Sequence, residues 1–300
     1  MKTKFILLIT TIFFACMNQS KIPPDASMKP LELTMHNDTR IDNYYWMRLS
    51  DEQKNAKTYD SQTQEVVDYI DEENNYTQSN LSHTKKLQKT LYNEMVSRIK
   101  KDDESVPYYK NGYYYYSRFE EKKEYRIHCR KKGSLEAKEE IILNENELAK
   151  GYDYFAIGGR SISPDNKWLA YGVDTLSRRI YEVHFKNLET GEVLNKTISN
   201  STGSVAWAND NQTVFYTSKN ETTLLGEKIW RHKIGNETPD EMIYHEEDET
   251  YYNGVYRSKS GKFIIIYHSS TLISDYQILD ASNPNGRFRR FTPRDFDHEY

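Results

Sequence analysis

Cysteine is nearly absent: two residues in 300 leave no room for a disulfide framework, and no Cys-x-x-Cys or Cys/His grouping offers a structural zinc site. Cys129 is expected to be the only free thiol of the mature chain, so it has no pairing partner, and it reads as a small apolar residue inside a sheet. A large excess of either sign of charge is also lacking. A net charge of -4 gives no long-range field for a charged partner, so nucleic-acid binding is not expected. The short basic runs at 126–132 and 287–290 are interleaved with strand residues and read as solvated strand faces. Glycines number only 13. The one long apolar run, residues 5–15, is too short to span a bilayer as a mature helix.

That run follows Lys2 and Lys4, which makes residues 1–16 an expected export signal. Its end, Phe13-Phe14-Ala15-Cys16, resembles the lipobox of bacterial lipoproteins, although Phe13 departs from the usual aliphatic residue. The resemblance implies lipidation of Cys16, a membrane anchor with the folded part in water, and a location in the bacterial periplasm or anchored cell envelope. Residues 17–34, rich in Lys, Pro, Ser and Asn, read as a tether. Residues 35–105 read as a helical arm. Tyr44, Tyr45 and Trp46 look like an aromatic clamp fixing the arm to something larger. Ala56, Tyr59, Val66, Val67 and Ile70 keep helical spacing, and Leu87, Leu91, Met95 and Ile99 form a cleaner i, i+4 stripe. Ser82 is the expected N-cap of that second helix, with Lys100 and Lys101 near its C-terminal end. Such stripes need an apolar partner.

What the chain has in abundance is tyrosine, 25 residues, set in a recurring plan. In SVAWANDNQTVFYTSK (204–219) an apolar strand, a polar Asp/Asn turn and an aromatic, β-branched strand follow one another; the plan recurs at 161–174 and 255–270, and more loosely at 106–121. Gly112, Asn166, Asn211 and Gly261 mark turns roughly 45 to 55 residues apart, the period of four-stranded propeller blades. Between them the periodicity is two, as in half-buried antiparallel strands. Four units are expected: one from about 106 closed by a strand at 140–143, a second over 157–198, a third over 204–245, and a fourth from about 251 with an outer strand near 288–291. The fold class is therefore mainly β, an incomplete propeller of about four blades over 106–300 behind an α-helical arm. An incomplete ring leaves strand edges and blade faces open, so the chain is expected to be part of something longer. A closed four-bladed ring and a β-sandwich are the structural alternatives.

Several ordered stretches resemble the front part of oligopeptidase B, a branch of the prolyl oligopeptidase family of serine peptidases. They include RIDNYYWMR at 40–48, EENNY at 72–76, SVPYYKNGYYYYSRFEEKKEYRIHCRKKG at 105–133, SPDN at 163–166 and SRRIYEVHFKNLETGE at 177–192. VAWANDNQTVFYTSK at 205–219, IWRHKIG at 229–235 and EEDETYY at 246–252 continue the series. The resemblance implies a helical arm packed on an α/β-hydrolase domain that is absent from these residues, and a seven-bladed propeller that admits short peptides and excludes folded proteins. It also implies cleavage after Lys or Arg.

No G-x-S-x-G elbow occurs; the nearest string, Gly159-Arg160-Ser161-Ile162-Ser163, lacks the second glycine. No catalytic, cofactor or metal residue is therefore assigned, and the 300-residue piece is expected to be inactive by itself. His36 with Asp38, His245 with the acids at 246–249, and His298-Glu299 lack the spacing of a helical zinc site. Glu246, Glu247 and Asp248 are expected to steer cationic peptides toward the propeller entrance. The partners expected are short peptides, the missing hydrolase domain, and a membrane if Cys16 is lipidated. The alternative is a stand-alone propeller that binds a peptide or protein without catalysis, and a third reading is a structural repeat protein at the cell surface. The arm at 40–101 favours the peptidase, because a simple binding propeller does not need it.

Overall fold

The computed structural model describes residues 22–300; the expected export signal and Cys16 lie outside the described residues. Two compact units divide the chain, Met1–Ile99 and Lys100–Tyr300.

The first unit opens with an antiparallel hairpin of β1 (Leu31–Met35) and β2 (Asp38–Asp42), turned by His36 and Asn37 at φ 54° and 64°. Residues 31–34, expected in the tether, are thus strand, and the arm's start is not helical. Trp46 clamps this unit internally. Its indole Nε1 donates to the Ser27 carbonyl at 2.9 Å, Lys29 Nζ lies 4.5 Å above its ring, and its own carbonyl accepts from Gln62 Nε2 at 2.6 Å. Helix α1 (Asp51–Lys54) begins at a capping box between Ser50 and Gln53, and α2 (Ser61–Leu81) at Asp60, whose carboxylate accepts from Thr63 N at 2.7 Å. Ala56 and Tyr59, expected in a helix, fall between the two.

Ser82 does not cap the next helix. It begins a 3-10 turn, Ser82–Thr84, and its hydroxyl donates back to the Ser79 carbonyl at 2.8 Å, so α2 runs almost directly into α3 (Lys85–Ser97). A serine that bonds backward in an αR conformation cannot offer its oxygen forward to an N-terminal amide. Along α3 the stripe Leu87, Leu91 and Met95 is exposed at 58%, 46% and 60%. Only Thr63 and Val66 are buried among this unit's described residues.

The second unit is a fan of antiparallel blades. Residues 104 and 105 already belong to it: Glu104 bridges Arg118, and Ser105 N donates to the Ser117 carbonyl at 2.8 Å. Blade one is the meander β3 (Tyr108–Lys110), β4 (Tyr113–Arg118), β5 (Ile127–Lys132) and β6 (Glu139–Asn144), followed by the one-turn helix α4 (Glu145–Leu148). Next come β7 (Ala156–Ile162), β8 (Trp168–Asp174), β9 (Tyr181–Asn187), β10 (Ile198–Trp207), β11 (Thr213–Lys219), β12 (Gly226–Lys233) and β13 (Glu241–His245), hydrogen-bonded in that order as one seven-stranded sheet. Blade four is β14 (Tyr252–Arg257), β15 (Phe263–Ser269), β16 (Ser274–Asp280) and the short outer β17 (Arg289–Arg290).

Blades two and three are continuous because β10 serves both. Its first part pairs with β9 (Ile198 with Val183, Ser201 with Tyr181), its last part with β11 (Val205 with Tyr216, Trp207 with Val214), and the register shifts between them. The separate outer strand expected at 193–198 is reduced to one bridge, Lys186 with Val193. Gly203, at φ 89°, sits at the bend, and a Cβ on Gly172 would stand 2.5 Å from its Cα, so two backbones touch where no side chain fits.

Blades pack face to face. Tyr115, Ile142 and Leu143 of blade one meet Leu169 and Tyr171 of blade two; Val183 and Phe185 meet Trp207 and Val214; Ala206 and Phe215 meet Ile264 and Leu279 of blade four. The four turn residues read from the repeat, Gly112, Asn166, Asn211 and Gly261, all adopt positive φ (83°, 65°, 60° and 72°). These turns are laced together: Asn166 Nδ2 donates to the Asn111 carbonyl at 2.9 Å, Asp165 N to Asn211 Oδ1 at 2.9 Å, and Arg257 Nη1 to the Trp207 carbonyl at 2.6 Å. The short range of a polar turn is thereby converted into blade-to-blade registration.

Candidate functional site

The acidic run expected to steer peptides forms the link from β13 to β14 and lines a groove of about 280 Å³. Its members behave differently. Glu247 and Asp248 are exposed, and Asp248 Oδ1 accepts from both the amide (2.9 Å) and the hydroxyl (2.7 Å) of Thr250, which holds its carboxyl below the usual range. Glu246 is only 9% exposed. Its Oε2 accepts from Arg294 Nη2 at 2.7 Å and from the Tyr244 hydroxyl at 2.7 Å. Burial would raise the Glu246 carboxyl, yet Arg294 and Tyr244 outweigh that and hold it below its ordinary value. A carboxylate compensated by an internal guanidinium projects little field into solvent, so Glu246 is an anchor of this loop and not a steering charge.

Arg294 joins that anchor to blade four. Its Nε donates to Asp275 Oδ2 at 2.5 Å and its guanidinium lies 4.0 Å from the Tyr251 ring centroid. Behind it, fully buried His268 has Nδ1 at 2.5 Å from Asn253 Oδ1 and Nε2 at 3.1 Å from Gln277 Nε2. A neutral imidazole satisfies both contacts, donating from Nδ1 and accepting at Nε2. Burial pushes the His268 pKa down to about 4, against the opposing pull of Asp275. Asp275 Oδ1, 4.0 Å from His268 Nε2, has no hydrogen-bond donor among the described residues.

A second ionic group lies between blades one and two. His128 Nε2 is 2.5 Å from Glu145 Oε1 and 2.6 Å from Arg160 Nη1, while Arg160 Nη1 is 3.4 Å from Glu145. The strand alternation carries these side chains, but nothing in their spacing announced the groupings. His268 merely continues the inward stripe of Ile264 and Ile266 on β15, and Arg294 comes from 48 residues beyond Glu246.

The elbow-like string is ordinary strand. Ser161 pairs with Ala170 in the β7–β8 ladder, and fully buried Ser163 donates its hydroxyl to Asp165 Oδ1 at 2.5 Å while accepting from Trp168 N at 3.0 Å. Neither serine has a histidine among its hydrogen-bond partners. Among the described residues no three His, Cys, Asp or Glu side chains converge as a metal site, and no helix is long and apolar enough to cross a membrane.

Four-stranded meanders laid face to face around inner strands, with turns at a fixed period, define a propeller. Residues 24–300 match the family model described as "Prolyl oligopeptidase, N-terminal beta-propeller domain", and the chain belongs to that family. It is 37% identical to dipeptidyl aminopeptidase BI of Pseudoxanthomonas mexicana, over 98% of this chain and 42% of that protein. Protease 2 of Moraxella lacunata is 31% identical over 87% of this chain and 37% of that protein. Among solved structures, oligopeptidase B from Leishmania major superposes with a TM-score of 0.80 at 26% identity, covering 92% of this chain and 40% of that one. The chain spans about two fifths of the length of these relatives. The fold expected from the sequence, an incomplete mainly-β propeller behind a helical arm, is the observed one.

Proposed function

We propose that this chain is the N-terminal gating part of a serine oligopeptidase that hydrolyses short peptides, with its Ser, Asp and His supplied by an α/β-hydrolase domain outside these 300 residues. The observation that carries the reading is the family match over 24–300, joined to the exposed apolar stripe of α3. An unburied row of Leu and Met costs hydrophobic free energy unless another surface covers it. In this reading the hydrolase domain is that surface, and the propeller limits entry to unstructured peptides.

The finer specificity is cleavage after Lys or Arg, with the exposed carboxylates Glu247 and Asp248 attracting cationic substrate and Glu246 holding their loop. A second reading, release of dipeptides from a free N-terminus, is favoured by the higher identity to the dipeptidyl aminopeptidase, 37% against 31%. The protein made from its complete reading frame should label with a fluorophosphonate and cleave arginyl fluorogenic peptides. Equal rates with blocked and free N-termini select the endopeptidase; activity only on free N-termini selects the dipeptidyl aminopeptidase. No labelling and no hydrolysis would leave a binding propeller. Export with lipidation at Cys16 belongs to the same proposal, and palmitate incorporation lost in C16S tests it.

A further inference from the structure

Between blades one and two lies an open cavity of about 220 Å³, lined by Tyr108 and Lys110 from β3, His128 from β5, and Arg160 and Ser161 from β7 among others. It is smaller than the roughly 300–1,000 Å³ of whole-ligand pockets, so it suits one end group of a longer molecule. We propose that it is a carboxylate-binding site, in which Arg160 and Lys110 take the carboxylate of a peptide at the inner rim of the propeller.

His128 Nε2 can carry either a hydrogen or a lone pair, yet it faces Glu145 Oε1 at 2.5 Å and Arg160 Nη1 at 2.6 Å. If Nε2 donates to Glu145, the Arg160 N–H meets a nitrogen with nothing to accept it; if Nε2 accepts from Arg160, two acceptors face each other at Glu145. Either way one short contact is unsatisfied. The Glu145 carboxylate itself is 3.4 Å from Arg160 and shared with the imidazole. Arg160 has five donors in a planar fork, and only Nη1 has a partner among the described residues. The Arg160 side chain is 40% exposed, so its free N–H donors open toward solvent; partial burial lowers its pKa and Glu145 opposes that shift.

The neighbouring cations differ. Arg130, on the same face of blade one, is already engaged by Glu140 at 2.7 Å and the Asn166 carbonyl at 2.8 Å. Lys110 lines the cavity without an ion pair among the described residues. The cavity thus presents two solvent-exposed cations, Lys110 and Arg160, with one carboxylate, Glu145, beside Arg160. A planar, singly charged carboxylate matches the open side of the Arg160 fork and balances that sum. Its source is either a peptide C-terminus or an acidic side chain, and the choice of peptide as ligand rests on the gating function proposed above.

The test uses the protein from its complete reading frame and three fluorescein-labelled tetra-alanine peptides: the free acid, the C-terminal amide, and the amide with one internal glutamate. In fluorescence anisotropy the acid should bind at least about tenfold more tightly than the plain amide, the scale of one charge-assisted contact. That gap should close to under about threefold in R160M and in K110M, with R160K intermediate because a point charge replaces a fork. Recovery of affinity by the internal glutamate identifies a side-chain ligand; no recovery identifies the chain terminus. Lys110 is exposed, so K110M decides the matter if R160M does not fold. Equal binding of acid and amide, or an acid preference that survives both substitutions, overturns the proposal. Fluorophosphonate labelling of the same preparation separates the two ideas: a labelled protein with no acid preference keeps the peptidase and loses this site, and an unlabelled one with the preference does the reverse.

Discussion

The seam between blades two and three and the core of blade four solve the same packing problem with opposite chemistry. At the seam, Phe185, Trp207 and Val214 form a buried apolar cluster, with buried His232, 2.7 Å from Asp240, stacked on Phe185; Gly172 and Gly203 bring two backbones together, and β10 runs through both blades. In blade four, the stripe Ile264, Ile266 and His268 ends in Asn253, Asp275, Glu246 and Arg294. Apolar contacts are non-directional and hold whatever closes over them. Buried charges tolerate only arrangements in which each partner is present. The seam therefore supplies stability, and the ionic core supplies a fixed position for the loop at 246–251.

Substitutions can break that contrast. W207A should cost most, about 4 kcal/mol as an aromatic truncation in a closed core, and the loss in urea titration should not vary between pH 5 and 8. R294M should cost about 3 kcal/mol, because Asp275 and Glu246 lose their shared cation while remaining buried. Here the loss should be pH-dependent, and a uniform loss would erase the distinction between the two regions.

Acid sharpens the comparison further. The folded pKa of His268 lies near 4, below its ordinary 6.5, so the unfolded chain binds the extra proton first. The stability that His268 contributes is complete above about pH 6.5 and is lost as the pH falls toward 4. Glu246, also depressed, acts in the same direction at lower pH. Hydrogen exchange should show blade four opening before the seam on acidification, and H268Q should flatten the pH 6.5 to 4 limb. Smallest of all, N211A should cost about 1 kcal/mol, since alanine resists the left-handed turn, and should do so at any pH.

Much of this architecture was legible in the residues. Two-residue alternation located the strands, and the turn set Gly112, Asn166, Asn211 and Gly261 located the blades, because a left-handed turn is a local demand that few side chains meet. The dual role of β10 was not legible: a strand's partners are chosen by what lies beside it, and only the bend at Gly203 shows the change of neighbour. Ser82 misled for a related reason, since its hydroxyl could bond forward or backward and the continuation of α2 into α3 chose backward. Of the acidic run, composition showed the charges; that Glu246 is turned inward depended on an arginine 48 residues away.

By itself, the sequence determined the blade period, the strand faces and the positions of the turns, all of which arise from interactions within a few residues. The tertiary structure alone decided which charges are compensated. It sealed Glu246 against Arg294 and left the Arg160 fork open to solvent beside His128 and Glu145, because a charge's worth depends on the distance and dielectric around it, and both are created only when separate blades close on one another.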